Sequence, residues 1–358
     1  MDTRVATILS PEDLGAAGTK IININLQDVI SRISIAFKTT NVSEVMTEHP
    51  AANLTRIELI DGSDVLFSLT GLQAQALNFY DRRNKPYSYI DDISGHAETA
   101  VIGIDFGRFL YDPIMAFDPK KFISPQLKIT WDEDICEVDT TVNECIVRAH
   151  IFDGKEVTPT GFITSKEIYS YLVQTSGFHY IDLPVDHVMK QLYVKCRYAD
   201  ESFFGLLDSA RLSEENDRKI PFDLTMTELL HDALESYGYC FEHAYLNGID
   251  TVTVFYAMPC DLEYVGYSPY GAADASAIWS TGGGKYRKVG TSTSINHKAM
   301  IMGALPHGVM PLLPKPSDNL EDWYKVPALE SLLLRIKDTA SVADVATAEI
   351  LVSQFRPY

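Results

Sequence analysis

The residues best suited to chemistry form an acidic run, WDED, at positions 131–134. Calcium binds where several oxygens converge on one point, and a glycosidase places two carboxyl groups across a cleft. Asp132 or Glu133, together with another acid, could supply either kind of site. A charged run at the end of a strand more often forms a solvated turn, however, and we expect a turn here.

Three further aspartates lie in the segment GIDFGRFLYDPIMAFDP. Asp112 and Asp118 each precede a proline, which favours the start of a turn over catalysis, and we treat Asp105 in the same way. Gly107, between them, predicts a bulge or a close approach of two backbone segments.

The familiar catalytic motifs are absent from the sequence. It contains no G-x-S-x-G, no H-E-x-x-H and no complete phosphate-binding loop, since Tyr286 follows the Gly282–Lys285 run and the first glycine is missing. We expect that run to be a mobile loop between strands. The sequence therefore predicts no catalytic, cofactor-binding or metal-ligating residue, no cofactor and no enzymatic activity.

Basic residues cluster at Arg82–Arg83, at Lys120–Lys121 and at 285–288. They could bind phosphates or anionic head groups, but solvated surface is the first expectation and contact with an acidic neighbouring copy the second. The chain has 30 Lys and Arg against 49 Asp and Glu, a net charge of −19. This balance argues against direct binding of nucleic acid, which requires clustered positive charge.

The composition is typical of a packed protein without covalent crosslinks. Of the 358 residues, 46% are hydrophobic and 22% are charged, and no apolar run approaches the roughly 18 residues of a membrane span. The five cysteines are odd in number and widely spaced, which is typical of reduced thiols in a protein made in a cytosol. The N-terminal region lacks the apolar core of a signal peptide.

Apolar and polar residues alternate over much of the chain, which is the pattern of strands with one buried face. The clearest examples are residues 22–26, 33–38, 127–131 and 145–151. The segment Asp61–Asp64 separates two such strands and predicts a hairpin. We therefore predict an all-β protein with a few short helices, built as sandwiches or jelly rolls.

Two amphipathic helices are predicted, at Leu72–Tyr80 and Met226–Gly238. The segments before them, FSLT at 67–70 and FDLT at 222–225, lie 155 residues apart. Each threonine begins a capping box, because Gln73 and Glu228 follow at the required spacing.

Other segments recur at nearly the same spacing. Ile24-Asn25-Leu26 resembles Ile181-Asp182-Leu183 at an offset of 157, and Ile33 and Ile35 resemble Leu192 and Val194 at an offset of 159. Chance is the alternative explanation, since such strings are short. The conserved order favours a duplication of a unit of about 155 residues, with the seam near 175–177.

The segments 57–83, 103–134, 328–338 and 346–355 resemble the double jelly-roll major capsid proteins of icosahedral viruses. The closest type is that of bacteriophages with an internal membrane, such as the lipid-containing Flavobacterium phages. The resemblance implies two tandem eight-stranded jelly rolls, at residues 21–176 and 177–358. It also implies an N-terminal arm at 1–20 that orders on assembly and a long loop insertion around 257–311.

The same resemblance implies a function in the virion. The chain would form homotrimeric, pseudo-hexagonal capsomers that tile an icosahedral shell, after synthesis and assembly in the host cytoplasm. Its partners would be itself, other virion proteins such as penton or membrane proteins, and an internal viral membrane, without direct sequence-specific nucleic acid binding. The rival hypotheses are a carbohydrate-active β-sandwich enzyme that uses Asp132 or Glu133, and a lectin-like spike module.

Overall fold

The fold was analysed in a computed structural model of the chain. The structure describes residues 2–42, 46–82, 84–136, 143–154, 156–247, 251–270, 277–289, 296–339 and 346–358. Arg83, which belongs to a predicted basic pair, lies outside the described residues.

The described residues of the first unit, between 3 and 152, form nine strands and one α-helix. They are β1 (Thr3–Asp13), β2 (Ala17–Asn23), β3 (Ile30–Thr40), β4 (Arg56–Asp61), β5 (Asp64–Leu69), α1 (Gly71–Arg82), β6 (Ser88–Asp92), β7 (Ala97–Asp105), β8 (Pro125–Asp132) and β9 (Asn143–Phe152). The strand orders are β1-β9-β3-β7 in one sheet, with β6 added at β7, and β2-β8-β4-β5 in the other. Eight strands that alternate between two facing sheets in this order form a jelly roll.

The second unit, residues 161–357, repeats this plan. Its elements are β10 (Gly161–Leu172), β11 (Gly177–Asp182), β12 (Val188–Arg197), β13 (Leu207–Glu214), β14 (Lys219–Thr225), α2 (Met226–Tyr237), β15 (Cys240–Leu246), β16 (Thr253–Tyr256), β17 (Pro259–Tyr270), β18 (Ala277–Gly282), β19 (Lys285–Val289), β20 (Asn296–Pro306), β21 (Val309–Pro311), β22 (Leu332–Asp338) and β23 (Thr347–Pro357). The orders β10-β23-β12-β21 and β11-β22-β13-β14 match those of the first unit strand for strand.

The two units also share their irregularities. β1 bulges against β9 between Thr7 and Leu9, and β10 bulges against β23 between Glu167 and Tyr169. A bulge is a specific local feature of a strand pair, so its recurrence aligns the two units residue by residue. The predicted duplication is confirmed. The match of FSLT with FDLT falls on equivalent strand ends, and so does the match of Ile33 and Ile35 with Leu192 and Val194. The match of Ile24 with Ile181 is displaced by two residues, because Ile22 pairs with Leu127 as Ile181 pairs with Leu334.

Each unit has its own sandwich core. In the first, Ile33, Ile35 and Phe37 of β3 and Leu127 and Ile129 of β8 are fully buried, as their alternation predicted. The core of the second unit is built from equivalent strands, with members Leu192, Val194, Ala210, Leu212, Leu334, Ile336, Ile350 and Val352.

The boundaries of the units differ from the expected ones. Residues 1–20 were expected to form an arm, but Thr3–Asp13 pairs with β9 and Ala17–Asn23 pairs with β8, both inside the first jelly roll. Residues 161–172 were assigned to the first unit, but they pair with β23 in a sheet of the second. The topology thus divides the chain at 153–160.

The insertion in the second unit begins earlier than expected, and its described residues include six strands. It runs from the end of α2 to β21 and contains β15–β20. β15 pairs in parallel with β6, so that β15, β20 and β17 extend the first unit's sheet to eight strands. β16, β19 and β18 form a separate small sheet.

Both predicted helices are present, with α1 one residue longer at its start and two at its end than predicted, but only α2 is amphipathic in the structure. On α1 every residue from Gly71 to Tyr80 is buried, whereas on α2 only Met226, Leu229, Leu230 and Ala233 are buried. A helix buried on all sides needs a second surface to cover it, and for α1 the second unit supplies that surface.

Both predicted capping boxes are present. Gln73 donates its backbone N–H to the Thr70 hydroxyl at 3.3 Å, and Glu228 does the same with Thr225. We expect Thr70→Ala and Thr225→Ala each to lower the free energy of unfolding by about 1 kcal/mol, because the backbone N–H of Gln73 or Glu228 then loses its hydrogen-bond acceptor. Urea unfolding followed by circular dichroism measures the change.

Thr227→Ala is the matched control, because Thr227 is an exposed residue within α2 and outside the cap. If both cap variants unfold at the same urea concentration as this control, the helix starts are placed wrongly.

Candidate assembly interface

The two units of the chain meet along a strand pair and a helix, a contact that we call the junction. β5 of the first unit and β10 of the second run parallel, with Ser68 paired to Lys166, so that two four-stranded sheets merge into one of eight strands. The Thr164 hydroxyl donates to the Leu66 carbonyl between the same strands.

Helix α1 packs against the outer face of the second unit's sheet. The Tyr80 hydroxyl donates to the Val309 carbonyl at 2.7 Å, and the ring centroids of Tyr80 and Tyr193 are 5.7 Å apart. At the end of the helix, Lys190 Nζ lies 2.6 Å from an Asp81 oxygen, with both side chains largely buried. The junction thus joins the helix side of one unit (β5 and α1) to the sheet side of the next (the outer face of β10-β23-β12-β21).

Gln73 of α1 bonds two acidic side chains of the second unit across the junction. Gln73 donates to Glu167 at 2.9 Å and to Glu349 at 2.5 Å. Lys195 in turn lies 2.8 Å from Glu349. Because buried polar groups are costly without partners, these bonds select one arrangement of the two units.

A fully buried pair ties the insertion to the first unit. His49 Nε2 lies 3.2 Å from Glu242, and neither side chain is exposed to solvent. Since the Ala51 N–H donates to His49 Nδ1, the proton lies on Nε2 and is donated to the carboxylate. Burial alone raises the pKa of Glu242, but His49 and the Met258 N–H at 2.7 Å outweigh it and hold this pKa below its usual value.

Within the part of the chain that the structure describes, no segment covers the helix side of the second unit in this way. The exposed face of α2 carries Glu228, Asp232 and Glu235, and β14 exposes Asp223. Among the described strands, β14 is an edge of its sheet. This surface is the equivalent of the one that the junction buries in the first unit.

A cleft of about 760 Å³ opens beside β14 and α2. Its walls include Phe222, Tyr237 and Trp323, together with other residues of the segment 311–325. In the first unit the corresponding space holds the start of β10, where the Ile163 N–H donates to the Phe106 carbonyl at 2.8 Å. The cleft is therefore the place that a strand equivalent to β10 would fill.

The sheet side of the first unit is open as well. On the outer face of β1-β9-β3-β7, Ser34 lies beside Arg148 of β9, and Ala36 lies beside Val101 of β7. At the edge, Val5 of β1 is 51% exposed. The chain thus has one buried junction. It also exposes two surfaces, the helix side of the second unit and the sheet side of the first, that are equivalent to the two sides of that junction.

Comparisons with known proteins show the fold. No protein-family model and no curated protein matches the sequence. The major capsid protein of the Sulfolobus turreted icosahedral virus matches with a TM-score of 0.58 at 9% identity, covering 100% of this chain and 98% of that chain. The chain has the double jelly-roll fold of viral major capsid proteins.

Two other capsid structures match over almost the full length of this double jelly roll. The major capsid protein of bacteriophage PM2 has a TM-score of 0.55 at 12% identity, covering 99% of this chain and 98% of that chain. A structure of the PBCV-1 virus capsid has a TM-score of 0.57 at 11% identity, covering 99% and 93%. The predicted fold class is confirmed.

The acidic run 131–134 is a capped turn in this fold. The Asp132 carboxylate accepts the Asp134 N–H at 3.2 Å and begins a short 3-10 helix, while Glu133 is buried. Within the described ranges, no group of three or more His, Cys, Asp and Glu side chains is placed to hold a metal ion. Nothing in this arrangement favours a carbohydrate-active site.

The three aspartates of 103–119 have structural roles as well. Asp112 accepts N–H groups of its own turn and Asp118 caps the next one. Burial raises the pKa of Asp105, but Arg82 and Arg32 outweigh this effect and lower it. Gly107 allows a close approach as predicted, because a Cβ there would lie 2.5 Å from a carbonyl oxygen.

The basic run at 285–288 is not solvated surface, so that expectation is wrong. Lys288 is only 4% exposed and pairs with Asp92 of β6, while Lys285 lies 2.6 Å from Asp200. The three glycines before it form a tight hairpin turn between β18 and β19, where a Cβ on Gly283 would lie 2.1 Å from the Tyr198 carbonyl. Among the described residues no helix is long and apolar enough to cross a membrane.

The junction residues were missed at the level of sequence. Gln73, Gln75 and Asn78 are polar residues distributed around α1, and in an isolated helix they would indicate a solvent face. Their burial becomes visible only when α1 is compared with α2, whose equivalent positions Glu228, Leu230 and Ala233 follow ordinary amphipathic spacing.

The buried pair of His49 and Glu242 gives a test of the contact between the insertion and the first unit. We expect Glu242→Ala to lower the free energy of unfolding by about 3 kcal/mol, because the His49 and Met258 donors lose a buried acceptor. Glu242→Gln should cost much less, because its amide oxygen still accepts. Denaturant unfolding at neutral pH measures both variants.

The pH dependence has a defined sign. A lowered carboxyl pKa stabilises the folded state above the usual glutamate value of about 4.3, and this contribution disappears as the pH falls through the folded-state pKa. The difference between the wild type and Glu242→Gln should therefore shrink in acid. A difference that grows in acid contradicts the assigned pair.

Proposed function

We propose that the chain is a major capsid protein that assembles from copies of itself into an icosahedral virion shell. The observation that carries this proposal is the pair of open surfaces on the chain, each equivalent to one half of its own junction. A protein with two complementary but separate halves of one contact binds other copies head to tail. The full-length likeness to capsid proteins supports the same function.

The assembly unit in this proposal is a homotrimer. A head-to-tail contact forms a closed ring when its rotation completes a circle. Each chain contributes two units, so three chains supply six jelly rolls with a pseudo-hexagonal outline. Such a tile has near-sixfold lateral contacts and covers a shell efficiently.

The remaining parts of the proposal concern location and partners. The protein would be synthesised and assembled in the host cytoplasm and reside in the virion capsid. Its further partners would be other virion proteins, such as penton or membrane proteins, and an internal viral membrane beneath the capsomer. The net charge of −19 disfavours direct contact with packaged nucleic acid. The chain would act as a structural component, not as an enzyme.

The oligomeric state tests the proposal. Light scattering coupled to size-exclusion chromatography should give three times the chain mass of 40.0 kDa. The melting temperature should rise with protein concentration, since association stabilises the folded state. Negative-stain images should show hexagonal outlines, and sheets or shells under assembly salt conditions. A strict monomer at high concentration contradicts the proposal.

A further inference from the structure

We propose that β14 and α2 of one copy bind β1 and the outer sheet face of the first unit in a second copy, and thereby repeat the junction between chains. This inference rests on the proposed self-assembly and names the surfaces and the register that carry it. Three observations support it: the aligned bulges, the open cleft and the charges on the two surfaces.

The aligned bulges define the register of the new strand pair. In the junction Lys166 pairs with Ser68, and the equivalent residues are Ala6 on β1 and Asp223 on β14. β1 and β14 are both edges of their sheets among the described strands. Pro221 has no N–H to donate, but this does not prevent the pairing. Its equivalent in the junction, Leu66, accepts a hydrogen bond through its carbonyl, and proline has the same carbonyl group.

The cleft beside β14 is the space that β1 would enter. Thr3 and Arg4 are equivalent to Ile163 and Thr164, which fill the corresponding space in the first unit. Val5 is 51% exposed, whereas its equivalent Ser165 is 6% exposed in the junction, so Val5 would be removed from water in the repeated contact. Burial of apolar surface favours this arrangement over two open edges.

The charges on the two surfaces are complementary. In the junction Tyr80 lies over Tyr193, and the equivalent residues are Glu235 on α2 and Ser34 on β3. Ser34 is paired with Arg148, so that Glu235 of one copy would lie next to Arg148 of the other. Both side chains are exposed, and neither makes an ion pair within the described part of the chain.

A disulfide cross-link tests the register. Residues paired across neighbouring strands lie within the Cα separation of about 4.4–6.8 Å that a disulfide requires. In the double variant Ala6→Cys with Asp223→Cys, air oxidation catalysed by copper phenanthroline should link chains into dimers and trimers on a non-reducing gel, and into nothing larger because the ring closes. The five native cysteines are unpaired and buried, so they do not compete.

The matched control moves one cysteine along the strand. Ala6→Cys with Ile220→Cys displaces the partner by three residues, about 10 Å, beyond the reach of a disulfide. Each single variant should also remain unlinked. Light scattering on the same samples establishes whether trimers are present.

The outcomes separate this inference from the proposed function. Cross-linked dimers and trimers only in the designed register support the inference. Trimers by light scattering without that cross-link overturn the register and leave the proposed function intact. Monomers in the wild type and in every variant overturn the proposed function and the inference with it.

A charge exchange tests the predicted ion pair independently. We expect Arg148→Glu and Glu235→Arg, each alone, to weaken trimer formation about tenfold, because like charges then meet at the interface. The double variant should restore it. Thermal unfolding of each monomer serves as the control for folding. Single variants that assemble like the wild type, or a double variant without recovery, overturn the contact.

Discussion

One constraint governs the molecule: its two units have the same fold but form the junction only once within the chain. Each unit therefore keeps one uncovered surface, equivalent to the side of the junction that the other unit contributes. The junction buries the helix side of the first unit and the sheet side of the second. The helix side of the second unit and the sheet side of the first therefore remain available. Because these open surfaces are complementary and not identical, association proceeds head to tail, and a ring is the closed form of such an assembly.

The junction within the chain and the proposed contact between chains differ in the polarity of their residues. Inside the chain, Tyr193 and Leu351 are buried in the core around α1. Their equivalents on the open sheet side are Ser34 and Arg148, which are compatible with exposure to water before assembly. A surface of small and charged residues keeps the monomer from aggregating and still binds a partner that brings acidic residues.

Much of this fold was predictable from local patterns, and the rest depends on contacts between distant segments. The alternation at Ile33–Phe37, the hairpin at Asp61–Asp64 and both capping boxes depend on neighbouring residues, and each is present. The strands β1 and β10 were misassigned because their pairing partners, β9 and β23, lie about 140 and 185 residues away in the chain, which no local pattern reveals. The burial of α1, the buried Lys288 and the parallel pairing of β15 with β6 require the second unit, which no local pattern reveals.

The most direct test of the central claim is a density map of the purified oligomer, obtained by electron cryomicroscopy at a resolution that separates individual strands. The map should show six barrels around a threefold axis, with the contact between chains superimposable on the junction within each chain. A map in which α2 faces solvent, or in which second units meet one another across a twofold axis, would contradict it.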